Sequence, residues 1–326
     1  MECSSLTEVS IGDNVTTIGD YVFQNCKALT TVTIGNSVTN VGNYMFNGCT
    51  ALSSINIPNS VTSIGSYAFA GCSQLSTAII GNGVMTIGPY AFQNCTNLSS
   101  ISIGTNVKNI NNFAFYGCTA LSSIEIPNSV TTIGNNTFNG CSSLTSVIIG
   151  TSINSIGLAA FANCTELSDV FCYNEVVPTA QTSAFNDSYI EYATLHVIAS
   201  AYENYRTTEP WSGFGTIVII DGETPVVEKC ATPTITYANG KVRFACETEG
   251  VEYVPTVTVT PNQLLNGNEL ALGGAFTVSV YAVKEGYDNS DTATMTINMA
   301  QMGDVNADGQ VTIADVTSLV NAILGK

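Results

Sequence analysis

Residues 29–51 read LTTVTIGNSVTNVGNYMFNGCTA, and residues 52–74 read LSSINIPNSVTSIGSYAFAGCSQ. The two stretches superpose position by position, and the pattern continues on both sides. Leu6, Leu29, Leu52, Leu75, Leu98, Leu121, Leu144 and Leu167 stand 23 residues apart, and so do Cys3, Cys26, Cys49, Cys72, Cys95, Cys118, Cys141 and Cys164. Phe23, Phe46, Phe69, Phe92, Phe115, Phe138 and Phe161 keep the same interval. A fixed period of this length marks a stacked repeat array. About half of the chain is one supersecondary unit copied seven times, and such an array offers columns of side chains rather than one pocket.

Inside the unit, Val32-Thr33-Ile34 alternates with period two and is β-branched, so it reads as a short strand. Gly35-Asn36, or Pro58-Asn59 one unit on, signals a turn. Val38 to Gly42 reads as a second extended piece, and Tyr44 to Cys49 as a tight helical turn. One such coil cannot bury its own apolar face. Each interior side chain contributes about 1.5–3 kcal/mol only when a neighbouring coil covers it.

Composition narrows the function classes. The 326 residues suffice for two or three domains. A formal net charge of -17 argues against nucleic acid and anionic membranes as partners. Residues 1–170 hold only seven acids and two lysines, so Ser, Thr and Asn supply the polar faces of the repeats. No apolar run reaches 18 residues, so membrane insertion is not expected. No signal peptide is visible, and Met1 to Ser5 aligns with the tail of a repeat. The expectation is a chain truncated at its N-terminus.

These motifs resemble the BspA-like, Treponema-type leucine-rich repeat, with Leu-x-x-Ile-x-Ile-Pro and Ile-Gly-x-x-Ala-Phe-x-x-Cys, over residues 1–170. Asn111 in place of Gly and Ala78 in place of the strand Ile are local departures. Residues 171–220 look like the C-terminal cap of the same family, with the single tryptophan, Trp211, placed to cover the open end of the core. After a linker at 221–229, residues 230–300 alternate as strands around an Asn239-Gly240 hairpin. They resemble the fibronectin-III-like domain found at the C-terminus of chitobiase and in Bacteroidetes surface proteins, usually a spacer.

Residues 301–326 carry the sharpest chemistry. Asp304, Asn306 and Asp308 supply side-chain oxygens in a twelve-residue loop; Gln310 supplies its carbonyl, Thr312 a direct or water-mediated contact, and Asp315 closes the shell around Ca2+. Val316, Leu319, Val320 and Ile323 form the apolar stripe of a following helix. This resembles half of a type I dockerin, which implies a cohesin-like partner. A dockerin has two such loops and one is present, and the Ser-Thr pair of clostridial dockerins is replaced by Ile313-Ala314.

The fold expected is therefore mainly β: a leucine-rich-repeat solenoid with a C-terminal cap, a small β-sandwich, and a short EF-hand-like calcium loop and helix. The eight periodic cysteines read as an inward-facing, reduced ladder of small apolar side chains rather than a disulfide framework. A bridge between Cys230 and Cys246 stays open. No enzyme is expected. His196 is the only histidine and lies in the cap strand Leu195-His196-Val197 without a nucleophile elbow. Asp187 and Glu191 read as solvated cap carboxylates, and Gly81-Asn82-Gly83 as a repeat turn.

Binding surfaces are the better candidates. One outward column is Glu8, Thr31, Ser54, Thr77, Ser100, Ser123, Ser146 and Asp169; the second is Ser10, Thr33, Asn56, Ile79, Ser102, Glu125, Ile148 and Phe171. A third column, Tyr21, Tyr44, Tyr67, Tyr90 and Phe113, either binds sugars or apolar side chains or shields the edge of the coil. The reading is a secreted or cell-surface adhesion scaffold for a host matrix protein or glycan. The alternatives are a non-catalytic, dockerin-docked component of a polysaccharide-degrading assembly, and a structural spacer.

Overall fold

The structure, a computed structural model, describes residues 3–220, 230–238, 241–259, 264–265, 269–270, 275–284 and 289–298. The chain separates into two compact units, Met1–Val226 and Val227–Lys326. The first is a β-solenoid of about nine turns with few helices. Each coil contributes one longer and one shorter strand, and every pairing is parallel and in register. Thus Thr31 pairs with Glu8, Ser54 with Thr77 and Thr77 with Ser100, one period apart. The longer strands form hydrogen-bonded groups of two, three and five in chain order, whereas the seven shorter strands, from Asn40–Val41 to Thr179–Ala180, make one unbroken ladder.

Side chains alternate across each long strand as the pleat requires. Val32 and Ile34 are buried while Thr31 is exposed. The interior then repeats itself: Phe23, Phe46, Phe69, Phe92, Phe115, Phe138, Phe161 and Phe185 stack in one file with ring centroids 5.0–5.5 Å apart. Leu29 to Leu144 and Cys26 to Cys164 fill parallel files at 0% exposure.

The segment expected as a helical turn is not helical. Tyr44 is left-handed at φ 53°, as is Gly48 at φ 72°. The N–H groups of Tyr44, Phe46 and Gly48 donate to Ser66, Ala68 and Ala70 of the next coil at 2.9, 2.7 and 2.8 Å. This is a third inter-coil ladder, and it explains how bulky residues hold a conformation that costs about 1–2 kcal/mol each: every second N–H gains a partner that a helical turn would not offer it. Coils in which position 48 is replaced by Asn25, Asn94 or Asn163 keep the same left-handed geometry.

In the cap, the run Tyr173 to Thr179 is one residue longer than the corresponding run in the repeats, since Ser155 pairs with Thr179. Trp211 is fully buried, meets Phe185 and Tyr205 edge-on at 5.6 and 5.4 Å, and donates its Nε1–H to the Pro178 carbonyl at 3.1 Å.

The second unit is antiparallel. Thr234–Ala238 pairs with Lys241–Ala245, and Glu252–Val259, Ala275–Val283 and Ala293–Asn298 form a three-stranded sheet. Ile235, Tyr237, Val242 and Phe244 of the hairpin pack against Val278 and Ile297 of that sheet. Cys230 and Cys246 are separate thiols, and the Cys246 Sγ–H donates to the Ala231 carbonyl at 3.0 Å. The Asn239-Gly240 turn lies outside the described residues.

Candidate binding surface

The outward columns fall on the long-strand face. Thr31, Ser54, Thr77 and Ser100 are exposed, Ser123 and Ser146 half-buried. In the second column Thr33, Asn56, Ile79, Ser102, Glu125 and Ile148 are all half-buried. Parallel register brings successive members together: Glu125 sits beside Ile148, then Phe171, then His196.

The aromatic column forms a ladder, but of a kind that spacing alone does not reveal. Tyr21, Tyr44, Tyr67, Tyr90 and Phe113 stack with centroids 4.4–4.8 Å apart and interplanar angles of 4–9°. Each inner ring is covered on both faces by its neighbours, so solvent meets ring edges and phenol oxygens. Sugar stacking needs an open face, so the inner rings are not a stacking platform. Burial, then the adjacent phenols of Tyr90 and Tyr44, push Tyr67 above the ordinary tyrosine pKa.

His196 has a specific partner that the 23-residue rule did not give. Its Nε2 lies 2.9 Å from Asp169 Oδ1, and its ring stacks on Phe171 at 4.1 Å. Ser168 Oγ–H donates to Asp169 Oδ2 at 2.8 Å. The His196 hydrogen bond, aided by Ser168, holds the Asp169 carboxyl below its usual value. The carboxylate thus stands between serine and imidazole. A nucleophile–base pair requires the hydroxyl to bond the imidazole itself, so this is a positional clamp and not a triad.

The cysteine file is a row of free thiols. The Sγ–H groups of Cys49, Cys72, Cys95, Cys118, Cys141 and Cys164 each donate to the carbonyl of the phenylalanine 26 positions earlier, at 3.1–3.3 Å. Burial pushes Cys118 and Cys164 up to about 12 and Cys72 well above its ordinary value. Cys3 departs from the expected pattern: it is exposed. The calcium-loop residues Asp304, Asn306, Asp308, Gln310, Thr312 and Asp315 lie outside the described residues.

The model for the BspA type leucine rich repeat region matches residues 1–108 and 85–205, in six copies. Among solved structures, a leucine-rich repeat protein from Bacteroides ovatus aligns at 26% identity over 67% of this chain and 62% of its own, with a TM-score of 0.46. The chain therefore spans less than two thirds of that protein's length. A leucine rich cell surface protein from Faecalibacterium prausnitzii aligns at 23% identity over 67% of this chain and 80% of its own, TM-score 0.42. The T. pallidum leucine rich repeat protein aligns at 26% identity over 50% of this chain and 78% of its own, TM-score 0.47. No curated protein matches the chain. With coil, period and family match falling on the same residues, this chain belongs to the BspA-type leucine-rich repeat family.

Proposed function

We propose that the solenoid is a non-enzymatic binding scaffold displayed outside the cell, with the long-strand face as its contact surface for a host matrix protein or glycan. The observation that carries this reading is the register. Strand pairing turns side chains 23 residues apart into adjacent outward rows, so modest contacts repeat along one face. No helix among the described residues is long and apolar enough to cross a membrane. The test is saturable binding of the full chain to immobilised matrix proteins and glycans, measured beside a variant with Thr31, Ser54, Thr77 and Ser100 replaced by glutamate. Loss of binding supports the reading; unchanged binding removes the strand face from it.

A second reading rests on the Asp304–Asp315 sequence, whose oxygen donors suit Ca2+. In that reading the fibronectin-III-like residues 230–300 are a spacer and residues 301–326 dock a cohesin-like domain. Calcium titration of the full chain tests it: a calorimetric binding signal that is lost in Asp304→Ala supports it, and no signal rejects it.

A further inference from the structure

We propose that the file of Tyr21, Tyr44, Tyr67 and Tyr90 is a site of oxidative cross-linking, at which a peroxidase-type one-electron oxidant joins neighbouring rings as dityrosine and ties successive coils together covalently. The proposal stands on the geometry of the rings and is independent of what the long-strand face binds.

Backbone and rings together set the geometry. Each tyrosine sits on left-handed backbone, at φ 63°, 53°, 56° and 59° in chain order. Its N–H donates to a carbonyl of the next coil: Tyr21 to Asn43 at 2.9 Å, Tyr44 to Ser66 at 2.9 Å, Tyr67 to Pro89 at 3.0 Å and Tyr90 to Asn112 at 3.0 Å. The four backbones are thereby held one coil apart, and the rings follow them. Tyr21 meets Tyr44 at 4.8 Å, Tyr44 meets Tyr67 at 4.6 Å and Tyr67 meets Tyr90 at 4.4 Å, with interplanar angles of 8°, 9° and 4°. Because the rings are near-parallel copies related by the coil translation, their ortho carbons run in files as their centroids do. The covering that denies these faces to a sugar gives each ring a second phenol instead.

The chemistry needs this proximity. The oxidant takes one electron from a phenol, whose O–H proton passes to solvent at the ring edge, and leaves a phenoxyl radical. A second oxidation on the adjacent ring gives a radical pair. The pair couples through one ortho carbon of each ring, forming one C–C bond. Each of those carbons then passes its hydrogen to the ring oxygen, which restores both phenols. The sum is the loss of two electrons and two protons, matched by reduction of one hydrogen peroxide to two waters when a haem peroxidase is the oxidant. Radicals held in contact on one chain couple before they meet another chain. Phe113 closes the file, stacked on Tyr90 at 4.6 Å, and has no phenol to oxidise.

Exposure alone does not select these residues. Tyr189 and Tyr192 in the cap are 53% and 85% exposed, more open than the half-buried Tyr44, Tyr67 and Tyr90. Neither has an aromatic ring against it among the described residues. Their radicals have no ring held beside them and couple between chains. The file gives links within one chain.

The test is oxidation of the dilute full chain by a plant haem peroxidase and hydrogen peroxide. Dityrosine fluorescence, the intact mass of the monomer and mapping of the linked peptides are the readouts. The expected product is a monomer lighter by one hydrogen molecule for each link, with the linked pairs drawn from Tyr21, Tyr44, Tyr67 and Tyr90. The double variant Tyr44→Phe, Tyr90→Phe leaves Tyr21 and Tyr67 without a phenol beside them, and the stack already accepts a phenylalanine at Phe113. Its intrachain yield is expected to fall at least about tenfold. The same fall is expected for the parent chain oxidised in denaturant, a comparison that needs no variant to fold. The double variant Tyr189→Phe, Tyr192→Phe is expected to keep an intrachain yield within about twofold of the parent. An intrachain yield undiminished by Tyr44→Phe with Tyr90→Phe or by denaturant, links mapped to other tyrosines, or the absence of any linked monomer overturns the proposal.

Discussion

The repeat array and the C-terminal unit are both made of β-strands, but they obtain their cores in different ways. In the array every strand pairing is parallel and in register, so the neighbour of a side chain is usually its own copy one coil away. Phe meets Phe, Tyr meets Tyr, and one choice of residue is repeated into a continuous file. In the second unit, hairpin partners are unlike: Ile235 faces Phe244 and Tyr237 faces Val242, with Val278 and Ile297 as the buried centre. Translation makes the environment of a residue predictable from its position in the period. Antiparallel pairing makes it depend on register and on which sheet lies opposite.

The largest test of this contrast is Phe92→Ala, in the middle of the phenylalanine file. Its cost is expected to be about 3–5 kcal/mol, because the cavity is walled by rings on both sides. Trp211 is the only tryptophan and sits in the first unit, so its fluorescence reports that loss as a lower melting temperature. Val278→Ala, worth about 2 kcal/mol in the second unit, is expected to leave the Trp211 transition in place. A common shift would make the two units one cooperative system.

Thiol chemistry sharpens the same comparison. A thiolate is the reactive form, and burial raises the file from Cys49, to about 12, through Cys164, also to about 12. Labelling of the native chain at pH 8 is expected at exposed Cys3 and half-buried Cys246, with Cys72 to Cys164 reacting only after denaturation. Fast native labelling of the file would mean that the array opens locally.

A smaller effect is expected from Gly71→Ala. Its φ is +73°, and an added Cβ would meet nothing closer than Gly48 at 3.9 Å. The cost is therefore backbone strain alone, about 1 kcal/mol, read as a shift in denaturation midpoint. The smallest is Asp169→Asn, below about 1 kcal/mol because the carboxylate is partly exposed. Its folded pKa is lowered, so its contribution is present above the ordinary aspartate value near 4 and fades as pH falls through the folded one. The stability difference between parent and variant is expected at pH 7 and lost in strong acid; a difference that grows on acidification would reverse the assigned sign.

Much of the array could be read from residue spacing. The period, the strand at Val32 to Ile34, the inward files and the outward columns all follow from pleat alternation and repetition. Other features could not. Tyrosine has no preference for left-handed backbone, so nothing at Tyr44 announces φ 53°; the conformation is imposed by N–H groups reaching the next coil. Spacing placed the tyrosines in a row but was silent on whether faces or edges point outward. The Asp169–His196 contact spans 27 residues: the lengthened cap coil pairs Asp169 with Thr194, 25 positions on, and His196 lies two further along the same strand, diagonal to Asp169.

By itself the sequence determined which side chains form files and which lie outside, because a strict 23-residue period with parallel stacking fixes both once alternation is applied. It also carried the family likeness. Only the tertiary structure decided what each column can do. Thr30 and Thr31 are the same residue type and both are exposed, yet one hydroxyl reaches a carbonyl of the preceding coil and the other makes no hydrogen bond among the described residues. The difference lies in whether a hydroxyl meets a carbonyl of the preceding coil, which packing between coils decides and residue type does not: Thr30 and Ser76 make that bond, and Ser53 between them makes none among the described residues.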